Sequence, residues 1–426
     1  MSSTLVDSTS LSLPMHARVV ARDDVWITSD AVAQFARVAA LPGCVRAVAM
    51  PDLHASRGIP VGAAFAFADR VLPQLIGGDA GCGVRIASTA ARRMSADALE
   101  RRVRQALDED PLAGCDRGAL FEAVWRSGAR GLAEVEGVPE ALARLAADEP
   151  DPDSASADGP ATHALGPSGD PAPYLGAGFA AALGSVGGGN HFVEIARAME
   201  VRDEAAAAAL GLVPGALCVV AHSGSRGLGE ALGRRWGGTE LSGEAIWAYL
   251  GELAGACRFA RANRLLLAYR LLCALGAARA SKIAGGFDVT HNDVRLEPVS
   301  GGRAWVHRKG AAPARGDDLT VVLGSRGAPS WILRSLDREE GLRSVAHGAG
   351  RRMGRGEALA KLKGRYRRAE AARSASDGRV LCDDPDLLFE EHPDAYKPIE
   401  PVVASLVETG MAAPVASLIP IVTVKR

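Results

Sequence analysis

The chain is predicted to fold as one large unit that mixes helices and strands, with its chemistry on loops where strands end. Three observations carry this expectation. Short apolar β-type runs alternate with stretches of helical period along 426 residues, a length that can bury a sizeable core. Metal-ligand side chains stand just past several of those runs. The one low-complexity stretch, residues 149–174, is acidic and rich in Pro, Ser and Gly, with ligand-type residues on both sides. It therefore reads as a mobile surface loop inside one domain rather than a boundary between two.

Taken in order, residues 18–28 read as a strand and turn, and 29–40 as a helix capped by Ser29 or Asp30. A strand is expected over 45–50, ending at Pro51-Asp52-Leu53-His54, and another over 63–68. The apolar run 71–76 reads as a strand feeding the turn Gly77-Gly78-Asp79-Ala80-Gly81-Cys82-Gly83. Glycine lets this backbone bend sharply and approach other groups, and it presents one carboxylate and one thiol three residues apart. Helices follow over 94–108, with Ser95 as cap, and across 119–147. Beyond the acidic loop lies Gly187-Gly188-Gly189-Asn190-His191-Phe192-Val193-Glu194, then a strand over 217–221 running into His222. Residues 242–284 read as helical, and 287–290, 304–307, 319–323 and 344–346 as strands that run into His291, Arg308-Lys309, Ser325 and His347. Functional groups concentrate where loops leave a rigid sheet, so these loops are expected to converge on one cleft.

Lys plus Arg number 49 and Asp plus Glu 50, so no global basic field announces a nucleic acid and any such site must be a local patch. The basic run Lys361, Lys363, Arg365, Arg367, Arg368 and Arg373, together with Arg308-Lys309, is one candidate; a solvated helix face accounts for 361–373 equally well. Seven Cys at irregular spacing do not form a disulfide framework, which points to a reducing, cytoplasmic setting. No signal peptide is read in the Ser/Thr-rich first residues, and no apolar run is long enough to span a membrane.

Asp79, Cys82, His191, His222 and His291 offer one carboxylate, one thiol and three imidazoles from four loops. That is too many for a single catalytic tetrahedral ion with an open position. The set suits two ions sharing a bridging ligand, with Cys82 the natural bridge, and two cations roughly 4 Å apart can clamp a phosphate. Zn, Mn and Co all accept such mixed donors. Taken singly, each His is more often a satisfied loop or core residue. His347 differs: it precedes Gly348-Ala349-Gly350 and Arg351-Arg352, a setting for a nucleophile at phosphorus, although a further metal ligand or a helix cap remains open. None of the Gly-rich loops matches a Walker A motif.

These residues carry a likeness. From about residue 45 to its end the chain resembles the RtcB family of RNA ligases through Met50-Pro51-Asp52-Leu53-His54, Gly78-Asp79-Ala80-Gly81-Cys82-Gly83, Gly189-Asn190-His191-Phe192-Val193-Glu194 and His222-Ser223-Gly224-Ser225-Arg226-Gly227. His291-Asn292, Val306-His307-Arg308-Lys309-Gly310-Ala311, Gly324-Ser325, His347-Gly348-Ala349-Gly350-Arg351 and Lys425 extend the match. The resemblance implies an α+β fold, a single large domain over 1–426 with mixed sheets and active-site loops at strand ends. It implies two Mn(II) ions, one on Asp79, Cys82 and His191, the other on Cys82, His222 and His291. It implies GTP bound by Asn190, His191, Phe192, Val193, Glu194, His291, Asn292, Ser325, Ser330, Gly348, Ala349, Gly350 and Lys425, with His347 as the nucleophile that carries GMP. The expected partner is RNA with a 3′-phosphate or 2′,3′-cyclic phosphate end and a 5′-hydroxyl end, in tRNA splicing or RNA repair; the oligomeric state stays open, a monomer included. Ala80, Arg326 and Gly354 stand where the family usually has Ile, Met and Ser; Arg326 and Gly354 bear on nucleotide and substrate preference, and none of the three removes a ligand. Two alternatives are a two-metal phosphodiesterase or phosphatase without a covalent nucleotide, and an RNA-end binding protein.

Overall fold

A computed structural model describes residues 13–92, 94–150, 167–374 and 376–426. In chain order the strands are β1 (Ala17–Val19), β2 (Cys44–His54), β3 (Val61–Phe67), β4 (Gly83–Arg92), β5 (Phe192–Val201) and β6 (Ala216–Ser223). Then follow β7 (Ile283–Thr290), β8 (Asn292–Val299), β9 (Gly302–Lys309), β10 (Ala311–Pro313) and β11 (Leu319–Val322). The last are β12 (Ser330–Ser335), β13 (Ser344–Ala346), β14 (Arg379–Cys382) and β15 (Ala412–Lys425). The larger sheet runs β11-β12-β15-β5-β6-β4-β7, with β14 added parallel to β15. A five-stranded sheet runs β1-β2-β3-β9-β8, antiparallel except for the β1/β2 pair, and β10 pairs with β13. The class is α+β, with mixed sheets, as the sequence predicted.

Period-2 alternation builds the layers. In β6, Leu217, Val219 and Ala221 face the long helix Glu244–Ala274, while Cys218 and Val220 join Val48, Met50, Ala64 and Val306 between the two sheets. Fully burying each Leu, Val or Met among these is worth roughly 1.5–3 kcal/mol. On the outer face of the smaller sheet, Ala47, Phe65 and Phe67 pack on Phe35 and Val38 of helix Ser29–Ala39. The order is helix, sheet, sheet, helix, and the site lies at one open end of the space between the sheets.

Several local expectations are corrected. Residues 71–76 are no strand: Pro73, which cannot donate to a ladder, starts a 3-10 turn over Pro73–Leu75, leaving only a bridge from Val71 to Leu241. Helix Ser29–Ala39 is capped by Thr28, whose Oγ1 accepts from the Ala31 N–H at 3.2 Å. The helix expected over 119–147 is three pieces, Arg117–Ser127, a 3-10 stretch Gly128–Glu134 and Glu140–Ala147, interrupted at Gly128 and Pro139. Strand β2 does not end at Pro51 but runs on to His54; the register with β3 breaks between Ala49 and His54, so the missing N–H of Pro51 costs no ladder bond. The helical stretch read over 242–284 ends at Ala274. Within the expected mobile loop, residues 151–166 lie outside the described residues, and its end is anchored: Tyr174 is buried and donates to Glu252. No helix among the described residues is long and apolar enough to cross a membrane. All seven cysteines are unpaired.

Candidate metal centre and cleft

Strand register brings the ligand loops together. Gly83 pairs with Ser223 on one side and with Thr290 on the other, and Phe192 pairs with His222. Apart from Asp79, each candidate ligand is a neighbour of, or itself, one of these paired residues, so Cys82, His191, His222 and His291 form a row along one end of the larger sheet. The His291 N–H donates to the Cys82 carbonyl at 2.8 Å, and the Gly81 N–H to the Asn292 carbonyl at 2.9 Å. Gly81 has φ +74°, and a Cβ there would lie 2.8 Å from the Cys257 Cα of the long helix, so only glycine seats this turn.

The donor atoms form two groups that share Cys82: Asp79, Cys82 and His191, and Cys82, His222 and His291, each with its atoms within 4.8 Å of one another. Cys82 Sγ lies 3.3 Å from His191 Nε2 and 3.4 Å from His222 Nε2. Nε2 of His191 is 2.8 Å from Asp79 Oδ2, and Arg226 donates to its Nδ1 at 2.9 Å, which fixes the ring's orientation. Cys82 and the three imidazoles are at most 4% exposed. Burial, aided by the neighbouring imidazoles, holds His222 and His291 well below the usual histidine range, so both are neutral, the form that binds metals. In the protein without a cation, burial and then Asp79 push the Cys82 thiol well up, a cost that a bound cation reverses. The buried Nδ1 atoms of His222 and His291 have no hydrogen-bond partner among the described residues. A soft and borderline donor set with orphaned imidazole nitrogens fits divalent first-row cations.

Beside this cluster, the His347 ring centroid lies 4.7 Å from that of His291 and 6.5 Å from that of His222. His347 Nδ1 is 2.7 Å from Oδ2 of Asp52, which is fully buried, and the same oxygen receives the His347 backbone N–H at 3.3 Å. Lys397 donates to the carbonyls of Pro51 and Leu53 at 3.0 and 2.8 Å, which pins the backbone on either side of Asp52. Sequence reasoning missed Asp52 as a partner of His347. Its signal was a carboxylate inside an apolar strand run, two residues before His54.

Cluster and His347 open into one cleft of about 950 Å³. Asp79, Cys82, Asn190, Phe192, Glu194, His222, His291, Asn292, Ser325, Gly348, Ala349, Gly350 and Lys425 line it, as do Lys309, Arg326, Gly354, Glu391, Tyr396 and the exposed Trp26 and Arg57. Three residues expected to touch nucleotide lie outside that lining: His191, whose ring is taken up by Asp79, Cys82 and Arg226, together with Val193 and Ser330. Val193 faces the helix side of the sheet, and Ser330 sits buried where its Oγ accepts from the Gly324 N–H at 3.0 Å. Asn292 spends its amide on the scaffold, donating to the Asp79 carbonyl at 3.1 Å and accepting from the Gly310 N–H at 2.8 Å. Burial brings Lys425 down to about 8; its Nζ donates to the carbonyls of Gly189 and His191 at 3.2 and 3.0 Å. Burial raises Glu194 to about 7, and Thr423 donates to its Oε2 at 2.9 Å. His54 lines the same cleft.

The expected basic surface is corrected in part. Arg308 is fully buried and pairs in a fork with Glu297, at 2.6 and 2.8 Å, because its side chain points into the protein from β9, a strand flanked on both sides. Lys361, Lys363 and Arg365 pair with Glu357, Asp386 and Asp394 and lie outside the cleft lining, whereas Lys309 lines it.

Comparisons agree with this geometry. The family model described as tRNA-splicing ligase RtcB matches residues 34–239 and 236–426. A protein of Escherichia coli named RNA-splicing ligase RtcB2 is 36% identical over 418 residues, covering 96% of this chain and 95% of the relative. The RNA-splicing ligase RtcB of Mycobacterium tuberculosis is 31% identical, covering 92% of this chain and all of the relative (100%). The tRNA-splicing ligase RtcB of Archaeoglobus fulgidus is 29% identical, covering 93% of this chain and 91% of the relative. With the family model matched across residues 34–239 and 236–426, around one cluster of thiol, imidazole and carboxylate donors, the chain belongs to the RtcB family.

Proposed function

We propose that the protein is an RNA ligase that uses GTP and two Mn(II) ions to join an RNA 3′-phosphate or 2′,3′-cyclic phosphate end to a 5′-hydroxyl end, through GMP carried on His347. The observation that carries this reading is the Asp52–His347 pair, 2.7 Å apart, set against the double donor cluster in one cleft. Two-metal hydrolysis alone needs no such imidazole.

The residues divide the work. Asp79, Cys82 and His191 hold one cation, and Cys82, His222 and His291 the other; bound there, the pair supplies positive charge and Lewis acidity to phosphate oxygens. Asp52 accepts the Nδ1–H of His347 and so leaves the lone pair on Nε2, the same orienting logic as in other carboxylate–histidine pairs. Nε2 attacks the α-phosphorus of GTP; the N–P bond forms, the α–β phosphoanhydride breaks and pyrophosphate leaves. The GMP then passes to the RNA 3′-phosphate as the N–P bond breaks. A 2′,3′-cyclic end is first opened by water to that 3′-phosphate. The 5′-hydroxyl attacks the activated phosphate, loses its proton, and GMP departs. The backbone of Gly348, Ala349 and Gly350 offers N–H groups to phosphate oxygens. Asn190, Phe192, Glu194, Ser325 and Lys425 line the nucleotide's place, while Val193, Asn292 and Ser330 support it from the scaffold. The setting is cytoplasmic, as seven cysteines without a disulfide favour.

The test is incubation of the full chain with Mn(II) and α-labelled GTP, followed by peptide mass spectrometry. An acid-labile guanylate on the His347 peptide is expected, with joining of 3′-phosphate and 5′-hydroxyl oligoribonucleotides. RNA ends hydrolysed without any adduct would overturn the proposal in favour of a phosphodiesterase; end binding without turnover would overturn it in favour of a binding protein.

A further inference from the structure

The long helix Glu244–Ala274 carries an arginine, Arg264, that is 0% exposed and lies directly beneath the ligand loops. An arginine so deep needs acceptors for its donors, and the ones it finds are informative. Nη1 donates to the Gly81 carbonyl at 2.8 Å and to the Ser223 carbonyl at 2.9 Å. Nη2 donates to Thr290 Oγ1 at 3.4 Å and to Asp288 at 2.6 Å, and Nε donates to the other Asp288 oxygen at 2.9 Å. Gly81 adjoins Cys82, Ser223 adjoins His222 and Thr290 adjoins His291. One planar guanidinium thus bonds to the residue next to each of the three members of one donor group, through two backbone carbonyls and the Thr290 hydroxyl. It makes no bond to Asp79 or His191 or to their chain neighbours; His191 is oriented instead by Arg226.

We infer that Arg264 is a positioning residue for one of the two cation sites, that of Cys82, His222 and His291, and sets its affinity apart from that of the Asp79–Cys82–His191 site. The inference rests on the two-ion reading given above. Its physical basis is preorganisation: three loops from different parts of the chain are held at fixed spacing before a cation arrives, so binding does not have to order them. A fork of rigidly placed donors does this; the single ammonium of lysine cannot reach the same acceptors together. Asp288 anchors the fork and has Arg85 at 3.9 Å and Arg261 at 4.0 Å as further cationic neighbours, so it is not stranded when Arg264 is replaced.

The experiment is Mn(II) binding to the purified full chain, read by the electron paramagnetic resonance of free Mn(II), with thermal unfolding of the metal-free protein alongside. The parent binds two ions. Arg264→Lys is expected to keep one at parental affinity and to weaken the other at least tenfold, with an unfolding midpoint close to the parent's. Adding Asp79→Ala to Arg264→Lys should abolish tight binding, whereas adding His291→Ala should leave one tight ion. If Arg264→Lys does not fold, Arg264→Gln/Asp288→Asn, a neutral pair of similar size, must give the same pattern. Equal weakening of both ions, parental affinity at both, or loss of the Asp79 site instead would overturn the inference while leaving the two-ion reading intact. A parent that binds fewer than two ions would overturn the two-ion reading and this inference with it.

Discussion

Replacing Asp52 by Asn keeps the shape behind His347 and removes the charge. Asp52 is fully buried, and its Oδ2 accepts from Nδ1 and from the backbone N–H of His347. An Asn carbonyl oxygen can take over that position. Its amide NH₂ must then occupy the place of Oδ1, which has no hydrogen-bond partner among the described residues and lies 2.7 Å from where a Cβ on Gly62 would stand. A hydrogen bond to a charged group is worth roughly 1.5–3 kcal/mol. At about 1.4 kcal/mol per factor of ten, Asp52→Asn should slow guanylylation about 10- to 150-fold. The assay is the single-turnover rate of adduct formation with α-labelled GTP at saturating Mn(II), alongside metal stoichiometry, which should stay at the parent's value. A rate within about threefold of the parent, with both ions bound, would refute the claim that Asp52 orients and charges the nucleophile.

Other outcomes follow from the same geometry. Cys82→Ala should abolish binding of both ions together with the adduct, because its sulfur belongs to both donor groups; His347→Ala should keep both ions and lose only the adduct, measured by metal analysis and labelling on one preparation. Gly310→Ala should destabilise the fold by about 2 kcal/mol and depress guanylylation: the residue sits at φ +62°, and its new Cβ would lie 2.8 Å from His347 Cε1 and press on Val61. An unchanged unfolding midpoint and rate would count against that packing. Burial raises Glu194 to about 7 from 4.5, so the folded protein holds this proton over a window in which the unfolded chain has lost it. Its contribution to stability is whole below about pH 4.5 and is lost as pH rises to about 7. Glu194→Gln should therefore gain on the parent across that window, by up to about 3 kcal/mol, and denaturant unfolding series with parallel pH slopes would contradict it.

Legibility differed by residue. Asp79, Cys82, His191, His222 and His291 could be read as a set because all stand on Gly-rich or strand-end loops, although each His taken alone is more often a bland loop or core residue. That Cys82 lies within reach of both donor groups is a matter of register, and register depends on pairing across strands far apart in the chain. Strand β15 went unread: Pro414 and Pro420 interrupt its pattern, yet it pairs with β5, β12 and β14 and delivers Lys425 to the cleft. Arg308 was read as surface charge because nothing adjacent in sequence reveals Glu297 as its buried partner, across the β8/β9 hairpin.

The order of the motifs was enough, without coordinates, to establish family membership, the α+β class and the chemical types of the donors. Folding alone decided how closely those donors gather, that Asp52 backs His347, and that a single helix arginine bonds beside Cys82, His222 and His291. The physical reason is range. Composition and periodicity report what a residue does with its near neighbours, whereas a site is made by hydrogen bonds between residues hundreds of positions apart, such as the 295 that separate Asp52 from His347.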